Sequence, residues 1–312
     1  MIFIAGIPSE STIQLVTQAA EKLGVITVIF NQRRAHQYEL TTELRKNKYK
    51  ASININGTMY DLEKMKGMYY RMMDANYLPE VKDNVFNNIG EKQLLRLRTI
   101  HEELGRWIYM TKIRILNYPP DTYSNISKPY QSQLISRSGF EIPSTCITSD
   151  VDAVKRFEKE QHHLIYKSIS SSRSIVKELF PKHEEQLKKI RYLPTQFQQK
   201  LEGNNIRVHV VGDVLFATKI KTDGLDYRYA ASEEKDLTMQ PIKLSKSIEK
   251  KCFRLASDLG LPLCGIDLFQ TRNNKYYCFE VNPSPGYSYF QEQDGQDIAT
   301  AIVKWLEFGT AK

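Results

Sequence analysis

Three oxygen-bearing side chains, Asp267, Glu280 and Asn282, are the residues of this sequence whose types and spacing best fit a chemical role. They fall within the segment GIDLFQTRNNKYYCFEVNPSPG, residues 265–286. Two carboxylates and an amide oxygen are hard ligands, which suit a Mg²⁺ ion that keeps its other coordination positions for water and substrate phosphates. The segment therefore predicts a metal-dependent nucleotide site.

A β-hairpin would bring these side chains together. Two apolar-rich runs flank Asn273 and Asn274, a pair able to adopt the positive φ angles of a two-residue type I′ turn. That turn places Asp267 directly opposite Glu280, with Asn282 following on the same face of the hairpin. Cross-strand Cβ atoms are then roughly 5 Å apart, so the two carboxylates repel each other unless a positive charge lies between them.

The alternative is a surface hairpin whose Asp and Glu are solvated and uncoupled, which is the common case for an arbitrary hairpin. Neighbouring residues argue against it, because both strands are largely apolar through Leu268, Phe269, Tyr277, Cys278, Phe279 and Val281. Such strands are typically covered on both faces, and charges embedded in them need partners. We therefore interpret the carboxylates as coupled ligands.

Composition sets broad limits on fold and partners. With 312 residues and 41% hydrophobic content, the chain can bury a large core in two or three packed subdomains. Its 44 Lys and Arg against 36 Asp and Glu, and a pI near 9.1, favour polyanionic ligands such as nucleotides, acidic peptides or nucleic acid. The four cysteines show no CxxC or zinc spacing and are interpreted as reduced core residues. The sequence has neither a signal peptide nor the roughly 20 apolar residues of a membrane span, which favours a cytoplasmic protein without a membrane partner.

Residues 1–118 are predicted to form an N-terminal α/β domain. A strand over residues 1–5, a helix with Ser9 as its candidate cap, and a second strand form a β-α-β unit. A third strand near residues 51–55 and a charged helix near residues 85–107 complete this domain. The turn GIPSES is not GxGxxG, so a dinucleotide fingerprint is absent. The Pro-Pro pair in NYPPD marks the domain boundary.

Residues 119–193 are predicted to form a small central α/β module with two helices and two strands. Its second strand carries Lys167 and runs into the loop SISSSRS. The hydroxyls, backbone N–H groups and guanidinium of that loop suit phosphates, although a plain flexible turn fits the composition equally well. A lysine entering such a loop can reach a nucleotide phosphate.

Residues 194–312 are predicted to be strand-rich. The runs NIRVHVV and VLFATKI are joined by Gly212-Asp213, a two-residue hairpin signal. Alternation directs one set of side chains to one face and a second set, including Arg207, to the other. The first set is Val208, Val210, Leu215 and Ala217, and the second is Arg207, His209, Phe216 and Thr218. Arg207 can hold a phosphate through its planar fork, although a strand arginine more often covers apolar surface or meets a carboxylate.

Together these segments resemble the ATP-grasp superfamily, most closely its branch of RimK-like glutamate ligases and the enzymes that cross-link ribosomal peptides into graspetides. The resemblance covers residues 115–312. It implies an α/β (α+β) ATP-grasp fold with an N-terminal β-α-β domain, a small central domain and a strand-rich C-terminal domain. GIDL and FEVNPSPG are similar to the family's metal-binding strands, which assigns Asp267, Glu280 and Asn282 to the Mg²⁺ ions on ATP.

Further segments carry nucleotide and substrate contacts in the family. KPYQSQLISRSGFEIPSTCIT resembles the segment with a phosphate-contacting lysine, here Lys128, and YKSISSSRS resembles the strand and loop that supply a second one, Lys167. TQFQQKLEGNNIRVHVVGD is similar to the hinge that holds adenine through backbone groups and then presents Arg207 to the γ-phosphate. GLDYR resembles an element by which Arg228 orients the substrate carboxylate. The hinge residues are Gln198, Gln199, Lys200 and Leu201, with Gln199 where many relatives carry Glu.

The resemblance implies an ATP-dependent ligase. A carboxylate of an acidic peptide or protein attacks the γ-phosphate, and an amine or hydroxyl then attacks the acylphosphate to form an amide or ester. ATP and Mg²⁺ are the implied cofactors, and peptide cross-linking is favoured over amino-acid addition. A non-catalytic, synapsin-like ATP-binding protein is the alternative. A basic nucleic-acid binder ranks last because only charge supports it, so no specific nucleic-acid partner is expected, while a homo-oligomer is left open.

Overall fold

The computed structural model describes residues 1–46, 48–82, 90–169, 176–179, 184–222 and 237–312. The strands, in chain order, are β1 (Ile2–Gly6), β2 (Thr27–Asn31), β3 (Glu39–Arg45), β4 (Lys48–Ile55), β5 (Thr58–Asp61), β6 (Gly67–Tyr70), β7 (Arg114–Leu116), β8 (Thr145–Thr148), β9 (Leu164–Ser168), β10 (Lys177–Glu178), β11 (Thr195–Gln199), β12 (Gly203–Val211), β13 (Val214–Thr222), β14 (Leu237–Ile242), β15 (Leu263–Thr271) and β16 (Tyr276–Asn282). The helices are α1 (Ser11–Lys22), α2 (Pro79–Lys82), α3 (Glu91–Ile108), α4 (Lys128–Arg137), α5 (Val151–Gln161), α6 (Glu184–Leu187), α7 (Lys246–Asp258), α8 (Ser288–Asp294) and α9 (Ile298–Phe308). Arg228 with its GLDYR element, and most of the serine loop, lie outside the described residues.

A parallel four-stranded sheet of order β2-β1-β6-β7 forms the centre of the N-terminal region. The predicted β-α-β start is confirmed, but Ser9 as the helix cap was wrong. Glu10 occupies the N-cap position instead. Its backbone N–H donates to the carbonyl of Ile7, which closes a turn before the helix and delays the first helical residue to Ser11.

The predicted third strand exists, but it does not belong to the parallel sheet. Residues 51–55 are part of β4, which lies between β3 and β5 in a separate antiparallel sheet. Buried Ala51 and Ile53 of β4 share one core with Leu97 and Leu104 of α3. This small sheet therefore covers the long charged helix, whose described part begins at Glu91, and β6 takes the third place in the parallel sheet.

An antiparallel sheet of order β10-β9-β11-β8 forms the central region. Its own core joins Val154 of α5 to Leu164 and Phe197 on the strands. Strand β11, which the sequence places after the boundary at residue 193, pairs with β9 on one side and β8 on the other. The hinge sequence therefore begins within the central sheet, because Gln198 and Gln199 are the last residues of β11.

A five-stranded antiparallel sheet of order β14-β13-β12-β15-β16 carries the predicted site. The two-residue turn at Gly212-Asp213 is confirmed, because Val211 pairs with Val214. The predicted alternation is also confirmed, since Val208, Val210 and Ala217 enter a core shared with α4 and α7. All four cysteines are free and three are buried, and burial raises the pKa of the Cys264 thiol to about 12.

The C-terminal helices return to the N-terminal sheet. Buried Ile302 and Leu306 of α9 share a core with Ile2 and Ile4 of β1 and with Leu263 of β15. The N-terminal ammonium donates to Glu307 Oε2 at 2.6 Å. This core therefore joins the parallel sheet to the five-stranded sheet. Among the helices that the structure describes, none combines the length and apolar character needed to cross a bilayer.

Candidate metal and nucleotide site

Strands β15 and β16 bring the three predicted ligands to one face. Asp267 pairs with Glu280, and Gly265 pairs with Asn282. Directly paired residues of an antiparallel ladder project their side chains to the same side. The predicted juxtaposition of Asp267, Glu280 and Asn282 is therefore present in the hairpin.

The turn of this hairpin differs from the prediction. Thr271 donates its backbone N–H to the carbonyl of Lys275 at 2.9 Å, so three residues form the loop, and Asn274 alone among them has a positive φ, of 60°. A bulge then follows, because Leu268 pairs with Cys278 while Asp267 pairs with Glu280. The extra loop residue and the extra strand residue at the bulge offset each other, which restores the predicted pairing at the ligands.

Arg207 supplies a positive charge beside Asp267. It lies opposite Asp267 on the neighbouring strand β12, and its Nη1 donates to Asp267 Oδ1 at 2.7 Å. Only 7% of the Arg207 side chain is exposed. The guanidinium lies over Gly265, where an added Cβ would be 2.0 Å from Nη2. The glycine in GIDL therefore makes room for the arginine, a role that the sequence motif alone does not explain.

The donor set fits a hard divalent cation. The carboxylate of Glu280 makes no hydrogen bond or ion pair within the described ranges. Asn282 Oδ1 accepts the backbone N–H of Ser284 at 2.9 Å, and an amide oxygen with two lone pairs can still bind a metal. No group of three His, Cys, Asp and Glu side chains suited to a metal occurs in the described part of the chain. Asn282 is therefore the protein's third ligand candidate at this hairpin.

His209 lies beneath Arg207 and is fully buried. Arg207 Nε donates to His209 Nε2 at 3.4 Å, and the imidazole packs edge-on against Phe290 at a centroid distance of 4.8 Å. Burial, and secondly the charge of Arg207, hold the pKa of His209 well below its usual value of 6.5. The neutral ring can accept from Arg207, and its position identifies it as a residue that supports the arginine.

We expect this buried histidine to make stability depend on pH. The unfolded side chain titrates near 6.5, so below that pH the unfolded state binds more protons than the folded state. The contribution of His209 to stability is complete above pH 6.5. As the pH falls below 6.5, the free energy of unfolding decreases by up to about 1.4 kcal/mol per pH unit. His209→Gln, which keeps an acceptor for Arg207, should flatten the loss between pH 6.5 and 5.

Urea unfolding at pH 7.5, 6.0 and 5.0 checks this expectation. Burial also lowers the pKa values of His36 and His101, and these two histidines contribute equally to the wild type and the variant. Parallel pH dependences in the two proteins would contradict the assignment to His209.

A crevice lies between α4 and the central sheet. The crevice has a volume of about 500 Å³ and is lined by Lys128, Thr145, Ile147 and Gln196, among others. Lys167 is the direct cross-strand partner of Gln196, so both side chains are on the same face of the sheet. Gln196 is buried, and its Oε1 has no hydrogen-bond partner among the described residues. The crevice therefore combines the Lys128 cation with an available polar acceptor, and Lys167 lies on the same face of the sheet as that acceptor.

Several polar groups of the hinge form hydrogen bonds or ion pairs with other residues of the central region. The Gln198 side chain donates to Thr145 Oγ1 at 3.2 Å, and Lys200 Nζ pairs with Glu178 at 2.7 Å. The backbone N–H groups of Gln199 and Lys200 bond to carbonyls of the central region. In the part of the chain described, the amide of Leu201 has no such bond. Leu201 is therefore the hinge amide that is available to a base.

Asn117 joins the N-terminal sheet to the segment after Asn282. It is buried, its Nδ2 donates to the carbonyls of Leu263 and Pro283, and its Oδ1 accepts the N–H of Leu263 at 3.0 Å. Sequence reasoning placed a domain boundary here and missed this residue. Its partners are 146 and 166 positions away, so no local pattern indicates the contact.

A cavity of about 730 Å³ lies where the carboxyl ends of β1, β6 and β7 meet the segment that follows Asn282. Its polar wall includes Glu10, which forms an ion pair with Arg71. Arg71 also donates to Ser284 Oγ at 2.7 Å. Crevices at the carboxyl ends of parallel strands commonly bind ligands. This cavity adjoins the chain directly after Asn282 and is the candidate binding site for a substrate other than the nucleotide.

Sequence comparisons give the family of more than half of the chain. The model of the RimK-like ATP-grasp domain matches residues 127–306, more than half of the chain. A probable alpha-L-glutamate ligase of Vibrio atlanticus (strain LGP32) is 28% identical over 185 residues, covering 56% of this chain and 61% of the relative. A protein of the same name from Shewanella loihica (strain ATCC BAA-1088 / PV-4) gives the same identity and coverage. The chain therefore spans less than two thirds of the length of these relatives.

Solved structures extend the likeness to nearly the whole chain. The ATP-grasp ligase PsnB, complexed with its minimal precursor, Mg and ADP, matches with a TM-score of 0.78 at 23% identity, covering 100% of this chain and 97% of that one. The macrocyclase MdnC from Microcystis aeruginosa MRC, bound with precursor peptide MdnA, matches with a TM-score of 0.77 at 21% identity, covering 98% of each chain. At these identities the likeness shows the fold, a mixed α/β ATP-grasp architecture.

Proposed function

Because this chain belongs to the RimK-like ATP-grasp family, we propose that it is an ATP-dependent ligase that activates a carboxylate of a peptide or protein. The observation that carries the proposal is the grouping of Asp267, Glu280 and Asn282 on one face, with Arg207 bonded beside them. Two carboxylates and a buried arginine suit the triphosphate of MgATP, because together they supply metal ligands and a fixed positive charge.

The chain's own residues divide the work of phosphoryl transfer. Asp267, Glu280 and Asn282 would hold Mg²⁺, which would supply positive charge to the phosphates of ATP. Arg207 holds the γ-phosphate through a guanidinium that Asp267 and His209 already orient. A substrate carboxylate then attacks the γ-phosphorus and ADP leaves, which gives an acylphosphate. An amine or hydroxyl displaces phosphate from that acylphosphate to form an amide or ester.

The nucleotide is assigned to the crevice between α4 and the central sheet. Lys128 and Lys167 neutralise phosphate charge there, and Leu201 offers its backbone amide to adenine. Gln198, Gln199 and Lys200 shape the hinge mainly through bonds within the central region. Gln196, which the sequence did not single out, adds a buried acceptor to the same crevice.

The substrate is assigned to the cavity beside Arg71. Its volume of about 730 Å³ is in the range of sites for drug-sized ligands, which supports a peptide segment over a single amino acid. The minimal precursor in the PsnB complex and the precursor peptide in the MdnC complex further support peptide cross-linking. The name of the glutamate ligases supports the other reaction of this class, addition of an amino acid to a carboxylate.

Arg228 is proposed to orient the substrate carboxylate, on the sequence resemblance of GLDYR. We expect Arg228→Ala to raise the peptide concentration at half-maximal turnover by roughly tenfold, because a charge-assisted bond to the carboxylate is lost. ATP affinity without peptide should stay unchanged. Titration calorimetry with ATP, beside phosphate release at varied peptide concentration, separates these quantities. An unchanged peptide dependence would remove Arg228 from the substrate site.

The proposal is tested in two steps. Calorimetry measures ATP binding with and without Mg²⁺, and Mg²⁺-dependent binding is expected. Phosphate release is then measured with a panel of Glu-rich synthetic peptides in hydroxylamine, which traps an acylphosphate as a hydroxamate whatever the natural acceptor is. Binding without release or hydroxamate would favour the non-catalytic alternative, and absence of Mg²⁺-dependent binding would contradict both functions.

A further inference from the structure

Strand β16 carries two of the three proposed ligands, yet it lies at the edge of its sheet. An edge strand has hydrogen-bonding groups on one side that no neighbouring strand satisfies. Along an antiparallel strand, one residue directs its backbone N–H and C=O toward the partner strand, and the next residue directs both groups away from it. Glu280 and Asn282 pair with β15, and Val281 lies between them.

Gln131 of α4 satisfies the outward groups of Val281. Its Nε2 donates to the Val281 carbonyl at 2.8 Å, and its Oε1 accepts the Val281 N–H at 3.0 Å. Only 2% of Gln131 is exposed. The side-chain amide therefore replaces the peptide group of a missing sixth strand, at the residue between the two ligands.

The same segment of chain also carries the nucleotide lysine. Lys128 begins α4 and lies three positions before Gln131, a spacing that places the two residues near one another on a helix. The loop after α4 makes a second contact with β16, because the N–H of Cys278 donates to the Glu141 carbonyl at 2.9 Å. Residues 128–141 thus hold the edge strand on both sides of Glu280.

We propose that Gln131 is a positioning residue of the ligase site, which fixes the backbone between Glu280 and Asn282 so that both oxygens meet the metal on the nucleotide. This inference rests on the proposed function. Because α4 carries both Lys128 and Gln131, it sets the distance between the lysine and the metal ligands. Positioning of ligands by surrounding hydrogen bonds typically changes metal affinity by 10- to 100-fold.

The test compares ADP affinity at saturating Mg²⁺ with ADP affinity in EDTA, by calorimetry on the full chain. The ratio of the two affinities isolates the contribution of the metal. Gln131→Met removes both bonds at nearly constant size. It should lower the ratio by roughly tenfold while the affinity in EDTA stays within about twofold, because the nucleotide crevice is retained.

A matched control separates positioning from general loosening of the helix. Ser138 caps the C-terminal end of α4, is buried, and donates to Asp258 Oδ2 at 2.9 Å. Within the described residues its side chain makes no hydrogen bond to β16. Ser138→Ala should lower the melting temperature while leaving the ratio unchanged. Should Gln131→Met fail to fold, Gln131→Asn, whose amide is one methylene too short to reach Val281, is measured in the same way and with the same expectation.

The outcomes are distinct. A reduced ratio in the Gln131 variant alone supports the positioning role. Equal affinity losses with and without Mg²⁺, or an equal loss of ratio in Ser138→Ala, would overturn it and leave Gln131 as a structural residue. If the wild type itself shows no difference between Mg²⁺ and EDTA, the metal site and the proposed function fail, and this inference fails with them.

Discussion

Asp267→Asn and Glu280→Gln are each expected to lower Mg²⁺-dependent ATP turnover by roughly 100-fold or more, because each removes a negative charge that holds the metal on the phosphates. Mg²⁺-dependent ATP binding should weaken in parallel, as measured by calorimetry. Glu21→Gln, the same change on an exposed residue of α1, serves as the matched control and should keep wild-type turnover.

The two variants should differ in stability, which tests the geometry independently of activity. Glu280 has no partner in the described ranges and lies opposite Asp267, so Glu280→Gln relieves a repulsion and should raise the free energy of unfolding by up to about 1 kcal/mol. Asp267 binds the buried guanidinium of Arg207, so Asp267→Asn should lower the free energy of unfolding by about 1–3 kcal/mol. Wild-type turnover in both variants would exclude the metal site, and equal stabilities would contradict the unequal partnering of the two carboxylates.

Gly265→Ala is expected to lower turnover by roughly 100-fold although it changes no ligand, because displacing a positioned group by about 1 Å has effects of that size. The new methyl carbon would lie 2.0 Å from Arg207 Nη2 and 2.4 Å from Cζ. The guanidinium must then leave its place between Asp267 and His209. The backbone of Gly265 is not in the left-handed region, so the expected effect comes from the arginine and not from chain strain.

A double-mutant cycle identifies the route of this effect. If Gly265→Ala acts through Arg207, the double variant with Arg207→Ala should lose no more turnover than Arg207→Ala alone. Gly105→Ala, at a helical glycine with open space around it, is the matched control. Additive losses in the double variant would show that Gly265 acts on the site without Arg207.

The face that carries the ligands could be predicted from sequence because it depends on local alternation. The turn could not, because a second interaction selects it. Thr271 Oγ1 donates to Asn273 Oδ1 at 2.6 Å and accepts the N–H of Lys275 at 3.1 Å. These bonds favour a three-residue loop over the type I′ turn that Asn273 and Asn274 suggest. The register near the ligands agreed with the prediction only because the bulge offset that error.

The contacts that hold the site together were not predictable in the same way. Gln131 is 150 positions from Val281, and Arg71 is 213 positions from Ser284. A side chain that bonds to a distant backbone leaves no periodic pattern, and a buried glutamine looks like a surface residue in an otherwise amphipathic helix. The hairpin spacing indicated the ligands and the family resemblance assigned the lysines, whereas the supporting residues became visible only in three dimensions.

The distribution of buried cores has a mechanical consequence. One continuous core joins the N-terminal sheet, α9 and β15, and Asn117 and Arg71 tie the same sheet to the segment after Asn282. The central sheet instead packs around a core of its own. Because the two outer regions share a core and the central sheet does not, we expect the outer regions to move together. We expect the central sheet to be the part that moves when a nucleotide binds, with Lys167 on the moving part and Asp267 on the stationary one.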